Sequence, residues 1–327
     1  MMPIIKVFTV TFISFITYFL SAHCVAQTYP NKPVTVIVPF SAGSASDVVT
    51  RVLLDKVSNN TNTRFVFDNR PAAGGNVGTA SLIKAEPDGY TIALSTSGPL
   101  AVNKILNPDL GYDPEKDIQS IALFAILPNV IVVSSTLNIN TLAQLNDYVR
   151  KNPDIGYGSV GNGSSQHLAG AYYEQLVGAK MLHVPYRVTA NMVTDLVAGR
   201  VPTSFQLLPN VLGQITSGRV KAIAVASNKR LPAIPDVPTA TEAGLKGYES
   251  AAWFAIVAPK GTPKAVVDRL NKDIAKASAD PNVRARFIEL GAEPQASSPE
   301  ELQRYINSEI KKWTEIIKKG GITLEKS

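Results

Sequence analysis

Between Tyr157 and Gly170 the chain reads YGSVGNGSSQHLAG, which places four glycines, three serines and an asparagine between an apolar strand signal and the start of a helix. Such a segment reads as an anion cradle. Glycines let the backbone turn its amides toward a ligand without obstruction, and the N-terminus of the following helix adds partial positive charge. No basic side chain lies in it. A carboxylate would therefore be held by neutral amides and by the hydroxyls of Ser159, Ser164 and Ser165, which suits capture and release better than chemistry. The competing reading is a plain Gly/Ser turn.

A second loop of the same kind weakens that alternative. VIVPFSAGSASDVVTR, from Val36 to Arg51, again runs from a strand into a helix through a small-residue turn, Pro39 to Ser46. The spacing starts the helix at Asp47, read as its capping acid, with Val48, Val49, Val52 and Leu53 inward. A third loop, STSG from Ser95 to Gly98, follows the strand signal Tyr90 to Leu94. Three strand-end loops rich in amides and hydroxyls suggest ligand capture at the carboxyl edge of α/β sheets.

The first residues carry Lys6, an apolar run from Val7 to Leu20 and the small residues Cys24, Val25 and Ala26. This pattern is expected to be a secretory signal covering 1–26 and cleaved after Ala26, so that the mature protein is exported. Cys24 invites a lipoprotein reading, but His23 stands where a lipobox needs a small residue. The remaining chain, about 300 residues, has no cysteine, which excludes disulfides, thiolate catalysis and cysteine-based metal sites together. Its two histidines, His167 and His183, lie too far apart for a helical metal pair, so no metal and no cofactor is expected. His183 reads as a packed strand residue. The excess of positive charge is mild, and the Lys and Arg residues form no stripe with interleaved aromatics, which argues against nucleic acid.

Short buried strand signals alternate with helical patterns throughout. The strands are expected at Val34 to Val38, Phe65 to Phe67, Thr91 to Leu94, Ile121 to Phe124, Val130 to Val133, Ile155 to Gly158, Leu182 to Val184, Val201 to Phe205, Ala222 to Ala226 and Phe254 to Val257. The clearest helices are Leu142 to Lys151, His167 to Val177, Met192 to Ala198 and Pro263 to Ala277. This is an α/β chain with parallel or mixed sheets. Loops near residues 40 and 161 face one ligand only if two sheets point their edges at a shared cleft.

These residues resemble the Bug family, periplasmic solute receptors of tripartite tricarboxylate transporters. The likeness runs through YPNKPVTVIVPFSAGSASDVVTR, DNRPAAGGNVG (Asp68 to Gly78), PDGYT (Pro87 to Thr91), YGSVGNGSSQHLAG, HVPY (His183 to Tyr186), PDVPTATEAG (Pro235 to Gly244), and Trp253 with APKGTP ending at Pro263. The resemblance implies a periplasmic binding protein of type II, two α/β lobes around a cleft with a hinge. Lobe 1 would comprise 27–127 plus 247–327, and lobe 2 would comprise 128–246. It also implies a monomeric, non-enzymatic receptor that closes on a small organic acid and delivers it to large and small membrane subunits. A sensor presenting its closed form to a membrane kinase is the alternative.

Mapped onto this sequence, the family's carboxylate site places Phe40, Gly43 and Ser44 on lobe 1 with Ser97 nearby, and Gly161, Gly163, Ser164 and Ser165 on lobe 2. His167 either orients the loop or touches ligand, and Asn129 after Pro128 is a further contact candidate. The chain departs from the family where a Lys-Gly pair and a small hydroxyl residue commonly follow Tyr186. Here Arg187, Val188 and Thr189 stand, and Thr189 is the remaining contact candidate. Thr203 replaces an expected Asp and Ala171 an expected Glu, so distal specificity is not transferable. Arg187 reads as structural more readily than as a partner for a second carboxylate.

Gly156, Gly158 and Gly161 spell a literal G-x-G-x-x-G, but the first two lie within the presumed strand and no acid follows about 20 residues on. A phosphate loop and a nucleophile elbow are both absent from the sequence. Catalysis is not expected.

Overall fold

The computed structural model describes residues 29–320 and 322, so the expected signal segment 1–26 lies outside the described residues. Ten strands form one mixed sheet in the order β2-β1-β3-β9-β4-β7-β5-β6, with β8 and β10 also pairing β4. The strands are β1 (Val34–Val38), β2 (Phe65–Asn69), β3 (Thr91–Thr96), β4 (Ile118–Ser134), β5 (Gly156–Ser159), β6 (Leu182–Pro185), β7 (Thr203–Leu207), β8 (Val220–Val225), β9 (Ala251–Pro259) and β10 (Glu293–Pro294). The longer helices that matter for the site are α1 (Ala45–Thr61), α2 (Asn76–Ile83), α5 (Ser165–Val177), α6 (Thr189–Val197) and α7 (Leu208–Thr216). Between them lie α3 (Asn103–Leu106) and α4 (Leu142–Lys151), and α8 (Lys264–Ser278), α9 (Pro281–Glu289) and α10 (Pro299–Gly320) close the chain.

Strand β4 organises the molecule. Its first part, Ile118 to Pro128, runs antiparallel to β9. From Asn129 onward it pairs with β7 on one side and β8 on the other. The sequence signals Ile121 to Phe124 and Val130 to Val133 are therefore one 17-residue strand. Pro128 does not interrupt it, because it sits where β4 leaves β9 and joins its second set of partners, and Asn129 N resumes hydrogen bonding to Ser250 O.

Alternation along β4 then divides the interior. Ile131 and Val133 pack with Tyr157, Tyr173, Phe205 and Tyr248, whereas Val130 and Val132 pack with Leu196, Leu208 and Val211. Around the first part of β4, Leu123 joins Trp253, Ala255, Val257, Leu302 and Trp313. The indoles of Trp253 and Trp313 both donate to Glu309 Oε2, at 3.1 and 3.3 Å, which fixes α10 against β9.

Local starts and stops follow from the sequence. α4 opens on a capping box between Thr141 and Gln144, and α5 stops at Gly178 in the left-handed region. In α1 the inward row is Val49, Leu53, Leu54 and Val57, and Val48 and Val52 are only partly buried. The helix starts two residues before Asp47, capped by Ser44. Asp47 instead reaches back, accepting from Gly43 N at 2.9 Å and from Arg51 and Asn69. Among the described residues no helix is long and apolar enough to cross a membrane.

Asn129 sits fully buried where β4 changes partners, donating to Phe205 O at 3.0 Å and accepting from Ser250 Oγ at 3.1 Å. Substitution Asn129→Ala leaves both groups unpaired and is expected to cost about 1–3 kcal/mol. Thermal unfolding should show a midpoint lower by roughly 2 to 5 °C. An unchanged midpoint would show that water replaces both bonds.

Candidate ligand-binding site

Two helices enter the site in the same way. In each, a glycine at φ +74°, Gly43 or Gly163, precedes a serine that caps the helix. Ser44 has φ −68°, ψ 162° and accepts from Asp47 N. Ser164 has φ −69°, ψ 159° and accepts from His167 N. A helix start leaves its first amides without intrahelical acceptors, and each serine satisfies one of them. Both hydroxyls keep a proton to donate elsewhere.

These starts meet at a pocket. Phe40, Ser44 and Ser46 line it from α1 and the loop before it, Val160, Ser165 and Gln166 from the loop and first turn of α5, and Thr189 from the start of α6. Leu207 and Asn210 add the start of α7, while Thr96, Ala252 and Phe254 complete the wall from strand ends. Its walls stand close enough that the free space between them holds about one water molecule. No lysine or arginine lines it.

The electrostatics are asymmetric. Asp47 lies in the first turn of α1, whereas the first turns of α5, α6 and α7 carry no acid. Burial opposes ionisation of Asp47, but hydrogen bonds from Arg51, Asn69 and Gly43 N prevail and hold its carboxyl below the ordinary value. The positive end of α1 is thus already compensated. Those of α5, α6 and α7 are not.

Of the residues singled out from sequence, the structure gathers Phe40, Ser44, Ser165 and Thr189 around the pocket. It places the others elsewhere. Gly43 is exposed, and Ser97 is buried with an unpartnered hydroxyl beside Thr96. Gly161 and Gly163 form a seam with the other side of the cleft. A Cβ on Gly161 would stand 2.7 Å from Gly74 N, one on Gly74 would collide with Asn162 O, and one on Gly163 would collide with Asn103. Ser164 caps α5 without lining the pocket, and Asn129 belongs to the β4 crossing.

His167 accepts from Gly163 N through Nδ1 at 3.1 Å and stacks on His183 with ring centroids 4.1 Å apart. His183 Nε2 meets Ser159 Oγ at 2.6 Å, and Ser159 Oγ in turn accepts from Gly161 N at 3.0 Å. Each imidazole therefore holds one amide of the glycine loop, directly or through a serine. Burial lowers the His167 pKa to about 4. Burial, then the neighbouring His167, lowers that of His183 to about 3.

Arg187 donates from Nε to Pro71 O, Thr203 Oγ1 donates to Gly156 O, and Ala171 packs against the core that contains Trp253. All three departures from the family pattern have structural partners. Leu207, Asn210, Ala252 and Phe254 escaped the sequence reading because no glycine or serine cluster marks them, and Gln166 was passed over within the glycine-serine segment itself. The only local sign was a strand running into a helix at Leu207-Leu208-Pro209-Asn210.

The model for the tripartite tricarboxylate transporter family receptor matches residues 49–322. The chain belongs to that receptor family. It is 32% identical to Protein BugT of Bordetella pertussis, over 94% of each chain. The periplasmic binding protein BugD superposes with TM-score 0.86 at 38% identity, covering 90% of this chain and all but 1% of its own. A protein from R. palustris solved with adipate superposes at TM-score 0.87 with 34% identity, covering 90% of this chain and 99% of its own. MatC from Rhodopseudomonas palustris, with bound malate, gives 0.84 at 30%, covering 88% and 100%. The fold is that of the periplasmic binding proteins, and the receptor family is one of binding proteins, not enzymes.

The two neutral histidines generate a pH dependence of definite sign. Below about 6.5 the unfolded chain takes up protons on both, while the native state does so only near pH 4 and pH 3. The unfolded state then binds more protons, so stability present above pH 6.5 should decline as pH falls toward 4. Denaturant unfolding between pH 8 and pH 4 checks it, and His167→Gln, which keeps an acceptor for Gly163 N, should flatten part of the slope.

Proposed function

We propose that this receptor binds a small carboxylate-bearing organic acid in the cleft, closes around it, and hands it to the membrane subunits of a tripartite tricarboxylate transporter. The observation that carries the reading is the start of α5. Ser165 and Gln166 line a pocket without side-chain cations, on a helix whose first turn has no acid and whose first amides have no intrahelical acceptors. Hydrogen bonds to a charged group contribute about 1.5–3 kcal/mol each, so three or four offset desolvation and closure without a buried cation. The relatives solved with adipate and with malate support a carboxylate as the ligand.

In this reading the lobes are 27–127 plus 247–327 and 128–246, and the two crossings at Pro128-Asn129 and near Ser250 act as the hinge. The acid binds lobe 2 first, and Phe40, Ser44 and Ser46 then seal the other side. A ligand shifts this equilibrium only by binding the closed form more tightly than the open one. The basic and apolar start of the chain directs export, with cleavage after Ala26.

The mature protein, refolded to strip carried ligand, should show a selective thermal shift with one or a few acids from a panel of mono- and dicarboxylates. A ligand at 100 times its Kd adds about 2.7 kcal/mol, enough for several degrees. Ser165→Ala should then weaken that acid roughly 10- to 100-fold by calorimetry at unchanged stability. Ser164→Ala should lower stability by about 1 kcal/mol, because that serine caps α5. No shift with any acid would turn the proposal toward an uncharged solute.

A further inference from the structure

Asn210 lies in the first turn of α7 and lines the pocket. Its Oδ1 accepts from Ala45 N, the first residue of α1 across the cleft, at 2.7 Å. Its Nδ2 donates to Gln206 Oε1 at 2.9 Å, Gln206 Nε2 donates to Ser204 Oγ at 2.8 Å, and Ser204 Oγ donates to Gly158 O at 2.5 Å. Gln206 and Ser204 are fully buried.

The two ends of this chain of bonds admit one direction only. Gly158 O can only accept and Ala45 N–H can only donate, so the orientation of every group between them follows. One end rests on β5, which runs into the glycine loop. The other rests on the helix that brings Phe40, Ser44 and Ser46 to the pocket. A second bridge flanks it, where Ser41 Oγ donates to Thr189 Oγ1 at 3.1 Å and accepts from Thr189 N at 3.3 Å.

We propose that Asn210 is a closure latch, a positioning residue that ties α1 to the second half of the molecule and so sets how long a bound acid is held. The inference rests on the receptor reading above. Ala45 N is engaged by Asn210 and Asp47 compensates the same helix start, so α1 supplies closure while charge recognition stays with α5. The narrowness of the pocket fits this division, since the walls meet through the protein's own hydrogen bonds.

Small-angle scattering of the ligand-free protein, together with stopped-flow release of whichever acid the thermal panel selects, tests the latch. Circular dichroism establishes that each variant is folded. Asn210→Ala should lower the closed-to-open ratio about three- to tenfold, seen as a larger radius of gyration, and raise the ligand off-rate by the same factor. In Asn210→Asp the carboxylate still accepts from Ala45 N, and Gln206 donates to it only by turning its amide over, which leaves Gln206 Oε1 and Gly158 O to share the single proton of Ser204 Oγ. That variant should keep the wild-type radius yet bind the acid more than tenfold more weakly, because it adds negative charge to the pocket wall. An Asn210→Ala protein with wild-type radius and off-rate overturns the proposal, as does an Asn210→Asp protein that expands like the alanine variant. If the wild type binds no acid, the receptor reading fails separately, and the ligand-free scattering of wild type and Asn210→Ala still decides the latch.

Discussion

A helix start leaves backbone amides without partners inside the helix, and in this chain four helices start at one pocket: α1, α5, α6 and α7. That convergence is what the rest of the fold arranges. The long strand β4 lets one continuous sheet present the carboxyl ends of β1 and β3 on one side and those of β5 and β7 on the other. β1 and β5 run through a loop into a helix, whereas β3 and β7 run directly into helical turns. The amides so delivered are neutral, do not titrate, and cannot be removed by changing a side chain. A carboxylate held there needs no cation, and its release needs no proton transfer.

Close approach of backbone to backbone is the second requirement, and glycine meets it at few positions. Gly161 and Gly163, both at positive φ, lie against Gly74 and Asn103 with no room for a Cβ. Beneath them the stacked His167 and His183 hold the loop amides of Gly163 and, through Ser159, Gly161. The segment that looks most flexible in sequence is therefore fastened by two neutral imidazoles from one side and by a glycine seam from the other. His167 accepts from Gly163 N, the loop-orienting contact that its motif allowed.

Strand and helix positions were legible wherever an apolar run met a small-residue loop, because those signals are local. The α4 boundaries, Leu142 to Lys151, agree to the residue, since a capping box and a C-terminal Arg-Lys pair mark both ends. Strand β4 carries two separate sequence signals, one on each side of Pro128, and only pairing with distant β9 and β7 shows that one strand runs through both. Phe40, Ser44, Ser165 and Thr189 could be placed at the pocket from their loops. Ala252, Phe254 and Asn210 could not, because what puts them there is the return of β9 and the packing of α7 against α1, contacts between segments more than a hundred residues apart. Ser164 shows the converse. A serine after a positive-φ glycine at a helix start is also the best N-cap, and its oxygen accepts from His167 N, a use that the loop's composition alone does not reveal.

The site separates two tasks that many binding pockets combine. In the proposed reading, recognition of negative charge falls to backbone at the start of α5. The far wall is assigned to the side chains of Phe40, Leu207, Asn210 and Phe254, which can change without disturbing that loop. Relatives at 34% and 30% identity were solved with adipate and with malate, acids of different length, on one backbone fold. In the proposed reading, ligand choice is set by the wall residues while the start of α5 stays fixed. In this chain the wall is neutral, and Asn210 within it is already hydrogen-bonded to the opposite half. Changing the wall here therefore changes closure as well as shape, so selectivity and ligand residence time are expected to vary together rather than independently.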